Sequence, residues 1–161
     1  MSTRVPLPVW AGPILAGMVT ASWTQAPAAA AYTKQGVLTC TLDASRAITQ
    51  SKPITCTFAR SSSGTENYTG SLRKVGVAFG TIGAGIIMWT VLSSNGTPGR
   101  GDVAGSYFHA TSDEAAGVGV GSHVLIGGAH RWFALQPISA TGEISLDYAQ
   151  NITGLVLDER R

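Results

Sequence analysis

Charged residues are scarce in this chain. Lysine, arginine, aspartate and glutamate make up 12% of its 161 residues, about half of the roughly 25% found in an ordinary globular domain. The 11 basic and 9 acidic side chains nearly cancel, which leaves a formal net charge of +2. A surface that follows nucleic-acid phosphates needs a marked excess of lysine and arginine, so we expect no nucleic-acid partner. The hydrophobic content of 44% is nevertheless sufficient for a packed core, and this excludes a disordered chain.

Motifs that carry catalysis or hold cofactors are also missing. The glycine-rich stretches match neither the dinucleotide-binding nor the P-loop pattern, and no serine stands in a nucleophile-elbow motif. His109, His123 and His130 form none of the short-range pairs that bind metals, and the carboxylates are dispersed beside turns, where solvated roles are the rule. We therefore expect no enzyme and nominate no catalytic residue, metal ligand or cofactor. An enzyme would require one of these histidines to meet an acid in the folded chain.

The first 31 residues have the composition of an export signal. Arg4 is the only charge before Lys34, the stretch 5–19 is mostly apolar, and small residues end the segment at 26–31. We interpret residues 1–31 as a secretory signal peptide and residues 32–161 as a single β domain. The alternative, an uncleaved anchor, is disfavoured because the apolar stretch is interrupted by prolines and is shorter than the about 20 residues that span a bilayer. The protein is therefore predicted to be periplasmic or secreted.

Cysteine is limited to two residues, Cys40 and Cys56. Each lies in a short run that alternates apolar and hydroxyl residues, at 38–42 and at 54–58, so each thiol should point to the apolar face of a strand. An even number of cysteines in an exported chain indicates a disulfide. If the two strands pair antiparallel, the thiols face each other and form a Cys40–Cys56 bond. The alternative is a pair of buried free thiols.

The rest of the chain consists of short alternating runs separated by turn residues. Alternation is visible at 75–79, 87–92, 117–121 and 132–136, and clusters of Gly, Ser, Asn and Pro lie between these runs. No segment shows a helical stripe, although residues 113–116 could form a short turn. The pattern predicts an all-β protein: one small β-barrel or sandwich of about eight to nine short, mostly antiparallel strands.

Two membrane alternatives are a helix over the uncharged stretch 75–99 and an outer-membrane barrel of about eight strands. The length of the stretch would allow a transmembrane helix, but glycines at 76, 80, 83 and 85 weaken a helix, and alternation of large and small residues favours a strand. An outer-membrane barrel would place polar residues in the lumen, whereas the alternating partners here are glycine and alanine. We therefore expect no transmembrane segment in the mature chain.

Glycine is abundant, at 20 residues, and two predicted strands carry it on one face. Gly76 and Gly80 flank Ala78 on one of them, and Gly117, Gly119 and Gly121 line the other. Such a flat surface either is covered by a large ring, such as Trp89 or Trp132, or receives the flat face or acyl chain of a ligand. We mark Trp89, Gly117, Gly119, Gly121 and Trp132 as candidate ligand-binding residues. A valine at Gly119 would then destabilise a covered surface and stabilise an open one.

Several segments between residues 36 and 157 resemble a family of small exported bacterial proteins, the domain of unknown function 992 family. The most specific are G-V-G-V-G-S-H-V-L-I-G-G at 117–128 and A-L-Q-P at 134–137; supporting segments lie at 36–40, 56–58, 68–70, 89–92 and 105–107. The resemblance implies a single domain with a signal peptide and a cysteine pair, but no activity and no catalytic residue. His123 and Asp147 occupy positions where the family pattern leads us to expect asparagine.

Two functions compete on this basis. The first is a non-enzymatic structural or binding module of the bacterial cell envelope. The second is a carrier that holds a small apolar or lipid ligand against the glycine-faced strands. A filled interior would argue against the carrier. The sequence identifies neither a ligand nor a partner beyond an envelope component or a lipid.

Overall fold

The structure is a computed structural model that describes residues 32–43, 45–46, 51–73, 81–82, 84–119 and 123–160. Within these residues the chain forms mostly β-strands, joined by turns and two short helices. In chain order the elements are β1 (Thr33–Leu42), β2 (Ser45–Arg46), β3 (Ser51–Arg60), β4 (Thr65–Arg73), β5 (Thr81–Ile82), β6 (Gly85–Ser93), β7 (Gly105–His109), α1 (Ser112–Val118), β8 (Leu125–Gly127), a 3₁₀ turn (Ala129–Arg131), β9 (Phe133–Gly142), α2 (Leu146–Gln150) and β10 (Gly154–Glu159).

Eight of these strands close into a barrel in the order β1-β3-β4-β10-β7-β8-β9-β6, and β6 pairs with β1 to complete the circle. Every neighbouring pair in the barrel is antiparallel. Strands β2 and β5 form a separate antiparallel pair. The predicted all-β class is confirmed, and the architecture is a barrel rather than a sandwich.

The barrel interior follows from the period of two along each strand. On β3 the buried residues Lys52, Ile54, Cys56 and Phe58 alternate with exposed neighbours. Because successive side chains of a strand point to opposite faces, one set fills the barrel and the other meets solvent. The main core contains Trp89, Tyr68, Tyr107 and Phe133 among its largest fully buried side chains.

Strand β6 settles one of the membrane alternatives. The predicted alternation is confirmed here, because Ile87, Trp89 and Val91 are fully buried while Ile86 and Met88 are less so. The transmembrane-helix alternative is therefore wrong for this part of the stretch 75–99. Within the described part of the chain, no helix combines the length and the apolar character that a membrane crossing requires. The predicted strand at 75–79, with its glycines, lies outside the described residues.

The predicted strand at 117–121 is wrong where the structure describes it. Gly117 lies in helix α1, and Gly119 ends that helix in the left-handed conformation, at φ +78°. Thr111 caps the start: its hydroxyl accepts a hydrogen bond from the Glu114 amide, at 3.3 Å. A helix that begins at a Thr-x-x-Glu capping box and ends at glycine satisfies its terminal backbone groups, and this outweighs the alternation of glycine and valine. Gly121 lies outside the described residues.

Helix α1 covers part of the outer face of the barrel. Ala115 and Val118 are buried, and they belong to a second apolar cluster with residues of β6, β8 and β9. Its other members are Leu92, Ala110, Val124, Ile126 and Ala134, with Tyr32 packed against it. Strands beneath the helix are therefore buried on both faces, which explains why β8 and the start of β9 are continuously apolar.

Candidate binding cleft

The two cysteines lie where the sequence predicted them. Cys40 and Cys56 are directly opposite each other on β1 and β3, and their sulfur atoms are 1.96 Å apart, at disulfide-bonding distance. Both residues are buried in the main core. The predicted pairing is confirmed, and the bond ties the N-terminal barrel strand to its neighbour.

The two candidate tryptophans occupy different environments. Trp89 is fully buried in the barrel interior, on a strand position that faces Pro137. Trp132 precedes β9, is half-buried against the main core, and stacks on His130 with 4.4 Å between ring centroids. Trp89 is therefore a core residue, and Trp132 belongs to a turn at the surface.

Gly117 and Gly119, the two candidate glycines that the structure describes, lack the predicted ring above them. Positions where a Cβ would stand on Gly117 and Gly119 have no atom within 4 Å. The interpretation that Trp89 or Trp132 covers this surface is therefore wrong for these two glycines. Gly117 and Gly119 do not lie on a strand, and a ligand contact at these residues stays a prediction.

Two of the three histidines meet in the fold. The rings of His109 and His123 are 6.2 Å apart, edge to face, while His130 lies on Trp132. No cluster of three or more potential metal ligands is present among the described residues. In the part of the chain that the structure describes, no hydrogen bond or ion pair joins a histidine to an acid.

A polar cleft lies at one end of the barrel. The hairpin turn between β3 and β4 forms one wall, and the loop between β6 and β7 forms the other. Its volume is about 430 Å³, and its lining consists of Arg60, Ser62, Ser63, Gly64, Thr65, Glu66, Pro98 and Arg100. Most of these side chains can donate hydrogen bonds, so the cleft is suited to a polar ligand rather than to an acyl chain.

A buried ion pair forms the floor of the cleft. Arg60 Nη2 donates to Glu66 Oε1 at 3.1 Å, and the two side chains are only 14% and 7% exposed. Arg60 Nη1 also donates to the Pro98 carbonyl at 2.6 Å. Glu66 accepts two further hydrogen bonds, from the Gly101 amide at 3.0 Å and from the Tyr68 hydroxyl at 3.2 Å. The floor therefore joins strands β3 and β4 to the loop between β6 and β7.

The hydroxyl of Tyr68, which donates to Glu66, has a shifted pKa. Burial raises the pKa of its phenol well above the usual range, and the neighbouring Glu66 charge raises it further. The phenol therefore stays protonated and keeps donating to Glu66. A carboxylate that accepts from an arginine, a phenol and a backbone amide is well satisfied although it is buried.

The loop on the second wall is held by hydrogen bonds within the loop and to the 3₁₀ turn. The Gly99 amide donates to Asp102 Oδ2 at 2.8 Å, and the Asp102 carbonyl accepts from the Ala129 amide at 3.0 Å. Gly101 has φ +80°, a conformation that glycine adopts without strain, and this turns its amide toward Glu66. The loop thus carries Arg100 on the rim of the cleft.

Arg100 forms the exposed edge of the cleft. Its Nε donates to Glu159 Oε1 at 3.1 Å, and its side chain is 80% exposed. Arg60 is buried and its ion pair is part of the folded core, whereas the exposed Arg100 can exchange its partner for a solute.

Sequence reasoning placed Glu66 among the solvated acids, and this was wrong. Glu66 is buried, since it shares the inward face of β4 with Tyr68 and Leu72. The period of two along 66–72 was the available signal. Its arginine partner, Arg60, is six residues away in the same hairpin. The Gly101 amide could not be found this way, because it comes from a loop 35 residues away.

Comparison with models of protein families identifies one family that matches this chain. The family described as "Protein of unknown function (DUF992)" matches residues 19–158. The chain belongs to the DUF992 family. The predicted resemblance is therefore confirmed, and the match includes the whole stretch 36–157. Searches among curated proteins and among solved structures found no significant match.

Membership of DUF992 adds no catalytic or binding residue, because the family description assigns no function. In this DUF992 chain the most specific segment, 117–128, runs from the end of α1 into β8, and A-L-Q-P at 134–137 lies on β9. His123 lies beside His109, and Asp147 lies in the first turn of α2. The cleft residues fall outside all of the segments on which the resemblance rests.

Proposed function

We propose that the protein is an exported, non-enzymatic binding module of the bacterial cell envelope, which recognises its partner from outside the barrel, at the polar cleft. The observation that carries this proposal is the division between a filled interior and a polar concavity at the surface. Trp89, Tyr107, Phe58 and Leu38 are fully buried inside the barrel, while Arg100 and the turn 61–64 lie open at its end.

The interior supports a binding module over a carrier. A barrel of eight strands is just wide enough for its own side chains to fill, unless small residues leave room for a ligand. Here the inward positions hold large side chains, with two tyrosines, two phenylalanines and one tryptophan among the fully buried ones. A ligand inside this barrel would have to displace them, which is costly in a close-packed core.

Export is supported by the disulfide together with the predicted signal peptide. Disulfides persist in oxidising compartments such as the periplasm and are rare in the cytosol. The absence of a reaction site is our inference from the partners of three acids near the cleft. Glu66 and Glu159 pair with arginines, and Asp102 accepts from the Gly99 amide.

The test is native mass spectrometry of the protein after mild extraction from its source cells. We expect a chain that begins between residues 30 and 32, carries the disulfide and has a bound partner of additional mass. Met1 or Ser2 at the N-terminus of the recovered protein would contradict export. A bare monomer in every mild extract would contradict a binding module.

The carrier hypothesis is decided by the same measurement. A lipid or another apolar molecule that stays bound after the polar partner has been removed with salt would favour the carrier. Release of all bound mass by salt supports recognition at the charged cleft, because exposed ion pairs are screened.

A further inference from the structure

The chemistry of a ligand for the cleft can be read from the donors that the protein leaves unused. Arg60 and Glu66 neutralise each other at the floor, and both are engaged by further protein groups, Pro98 and Tyr68 among them. This floor is already satisfied. It therefore shapes the cleft but does not by itself call for a ligand of either charge.

Arg100 is different because only part of its guanidinium is engaged. Its Nε donates to Glu159, and neither Nη atom donates to any of the residues that the structure describes. A guanidinium presents parallel N–H groups that match the two oxygens of a carboxylate or a phosphate. The exposed end of Arg100 can therefore hold an oxyanion while Nε stays on Glu159.

The opposite wall supplies hydroxyl groups. Ser62, Ser63 and Thr65 line the cleft from the β3–β4 turn, and Gly64 between them has φ +91° with no atom within 4 Å of a would-be Cβ. The open space over Gly64 lets a ligand approach the backbone. A hydroxyl can both donate and accept, so these side chains can add donors to an acceptor that Arg100 holds.

The charge of the lining points the same way. Two arginines and one glutamate give the lining residues a net charge of +1, and Glu66, the negative one, is 7% exposed. No aromatic residue lines the cleft, and its one apolar ring, Pro98, is buried. An apolar tail would gain little here.

We propose that the cleft binds an oxyanion group, a carboxylate or a phosphate, between the Arg100 guanidinium and the hydroxyls of Ser62, Ser63 and Thr65. This inference rests on the proposed function and specifies the ligand class of that site. The cleft is shallow and open, so it takes the terminal anionic group of a larger molecule. Glu159 competes with the ligand for Arg100.

The experiment uses the purified protein with its disulfide intact and follows amide and arginine Nε signals by NMR. The probes are sodium acetate, inorganic phosphate and acetamide, which is the neutral analogue of acetate. We expect acetate or phosphate, at millimolar concentration, to shift signals of residues 62–66 and 99–101. Shifts with acetate alone indicate a carboxylate ligand, and shifts with phosphate alone indicate a phosphate ligand. Shifts with both indicate a site that selects for negative charge. Acetamide should shift none of these signals.

Three variants locate the site. Arg100→Gln should weaken anion binding about tenfold, the effect of losing a charge-assisted hydrogen bond. Arg131→Gln is the matched control, because Arg131 is also an exposed arginine in a 3.1 Å ion pair with a glutamate, Glu114; it should leave binding unchanged. Glu159→Gln removes the competitor and should strengthen binding. Arg100 and Arg131 are exposed and Glu159 is half-buried; unchanged signals from the barrel interior show that the variants are folded.

The proposal is overturned if no anion shifts the cleft signals, if acetamide shifts them as acetate does, or if Arg131→Gln weakens binding as much as Arg100→Gln. These outcomes are separable from failure of the binding module itself. A partner that remains bound to Arg100→Gln protein in native mass spectrometry would preserve the module and refute the oxyanion site. Loss of the partner in that variant alone, with Arg131→Gln unaffected, supports both.

Discussion

At the residue scale, the same pairing of arginine with glutamate has different consequences at different depths. Arg60 and Glu66 form a pair that is almost out of solvent, whereas Glu114 and Arg131 form one that is 37% and 66% exposed. A buried charge that loses its partner remains desolvated, while an exposed one returns to water. Burial, rather than the shared 3.1 Å distance, decides how much each pair contributes.

Glu66→Gln should therefore be strongly destabilising. The substitution keeps the shape of the side chain but leaves the Arg60 charge without its counter-charge, and we expect the free energy of unfolding to fall by about 3 kcal/mol. The matched control, Glu114→Gln, should cost less than about 1 kcal/mol. Urea unfolding of the two variants measures both. Equal losses would mean that the cleft floor is as well hydrated as the surface pair.

At the element scale, the strands were predictable and helix α1 was not. The runs around Cys40, Cys56 and Trp89 alternate because each strand has one face in the barrel. The run at 117–121 alternates as well, although 117–119 fold as a helix end. Thr111 and Glu114 were the missed signal, since a capping box marks a helix start even when the residues that follow resemble a strand.

Gly119→Ala and Gly117→Ala should change stability in opposite directions. Gly119 has φ +78°, so a Cβ there is strained even though nothing crowds it, and alanine should cost about 1 kcal/mol. Gly117 lies within α1 with open space at its Cβ position, so alanine should stabilise by up to about 1 kcal/mol. Thermal unfolding compares the two.

If Gly119 lay on the predicted strand, a loss of stability on substitution would indicate that a ring or another strand covers it. In the structure, backbone strain alone produces the loss, so the sign no longer reports on a covered surface. Stabilisation by Gly119→Ala would contradict the left-handed helix end.

The disulfide joins two neighbouring strands of the barrel. Cys40 and Cys56 are 16 residues apart in sequence and join β1 to β3. Replacing both with alanine should lower the free energy of unfolding by about 3 kcal/mol, the value expected for a loop of about 15 residues. Since both cysteines are at most 1% exposed, alkylation after reductant treatment should label them only when denaturant is added. Labelling of the folded protein under reductant would show that this part of the barrel opens.

At the scale of the whole molecule, the barrel is closed by strands that are distant in sequence. The last strand, β10, lies between β4 and β7, and the first, β1, lies between β3 and β6. Local patterns predicted the strands but could not give this order, because hydrophobic periodicity states which face is buried and not which strand is the neighbour. The cleft depends on that order, since β3, β4 and the β6–β7 loop meet only in the closed barrel. This is why Arg60, Glu66 and Arg100 were not recognised together from the sequence.

The filled barrel should respond to alkaline pH as one cooperative unit. Burial raises the pKa of Tyr107 well above its usual range, Tyr68 is shifted in the same direction by burial and by Glu66, and burial raises the pKa of Tyr148 to about 12. A phenol whose pKa is higher in the folded state stabilises the fold fully below the unfolded-state pKa, which is about 10. That stabilisation is lost as the pH rises through the folded-state values.

We therefore expect stability to fall from about pH 10 upward and the chain to unfold cooperatively in strong alkali. Phenolate absorbance of the buried tyrosines should appear together with the loss of the β-sheet circular dichroism signal. Tyr107→Phe removes the most deeply shifted phenol and should reduce the steepness of the pH dependence, although it also removes the hydrogen bond from the hydroxyl to the Val103 carbonyl. Ionisation of the buried tyrosines near pH 10 with the sheet signal intact would mean that water reaches the barrel interior. That result would contradict a filled core and return the carrier to consideration.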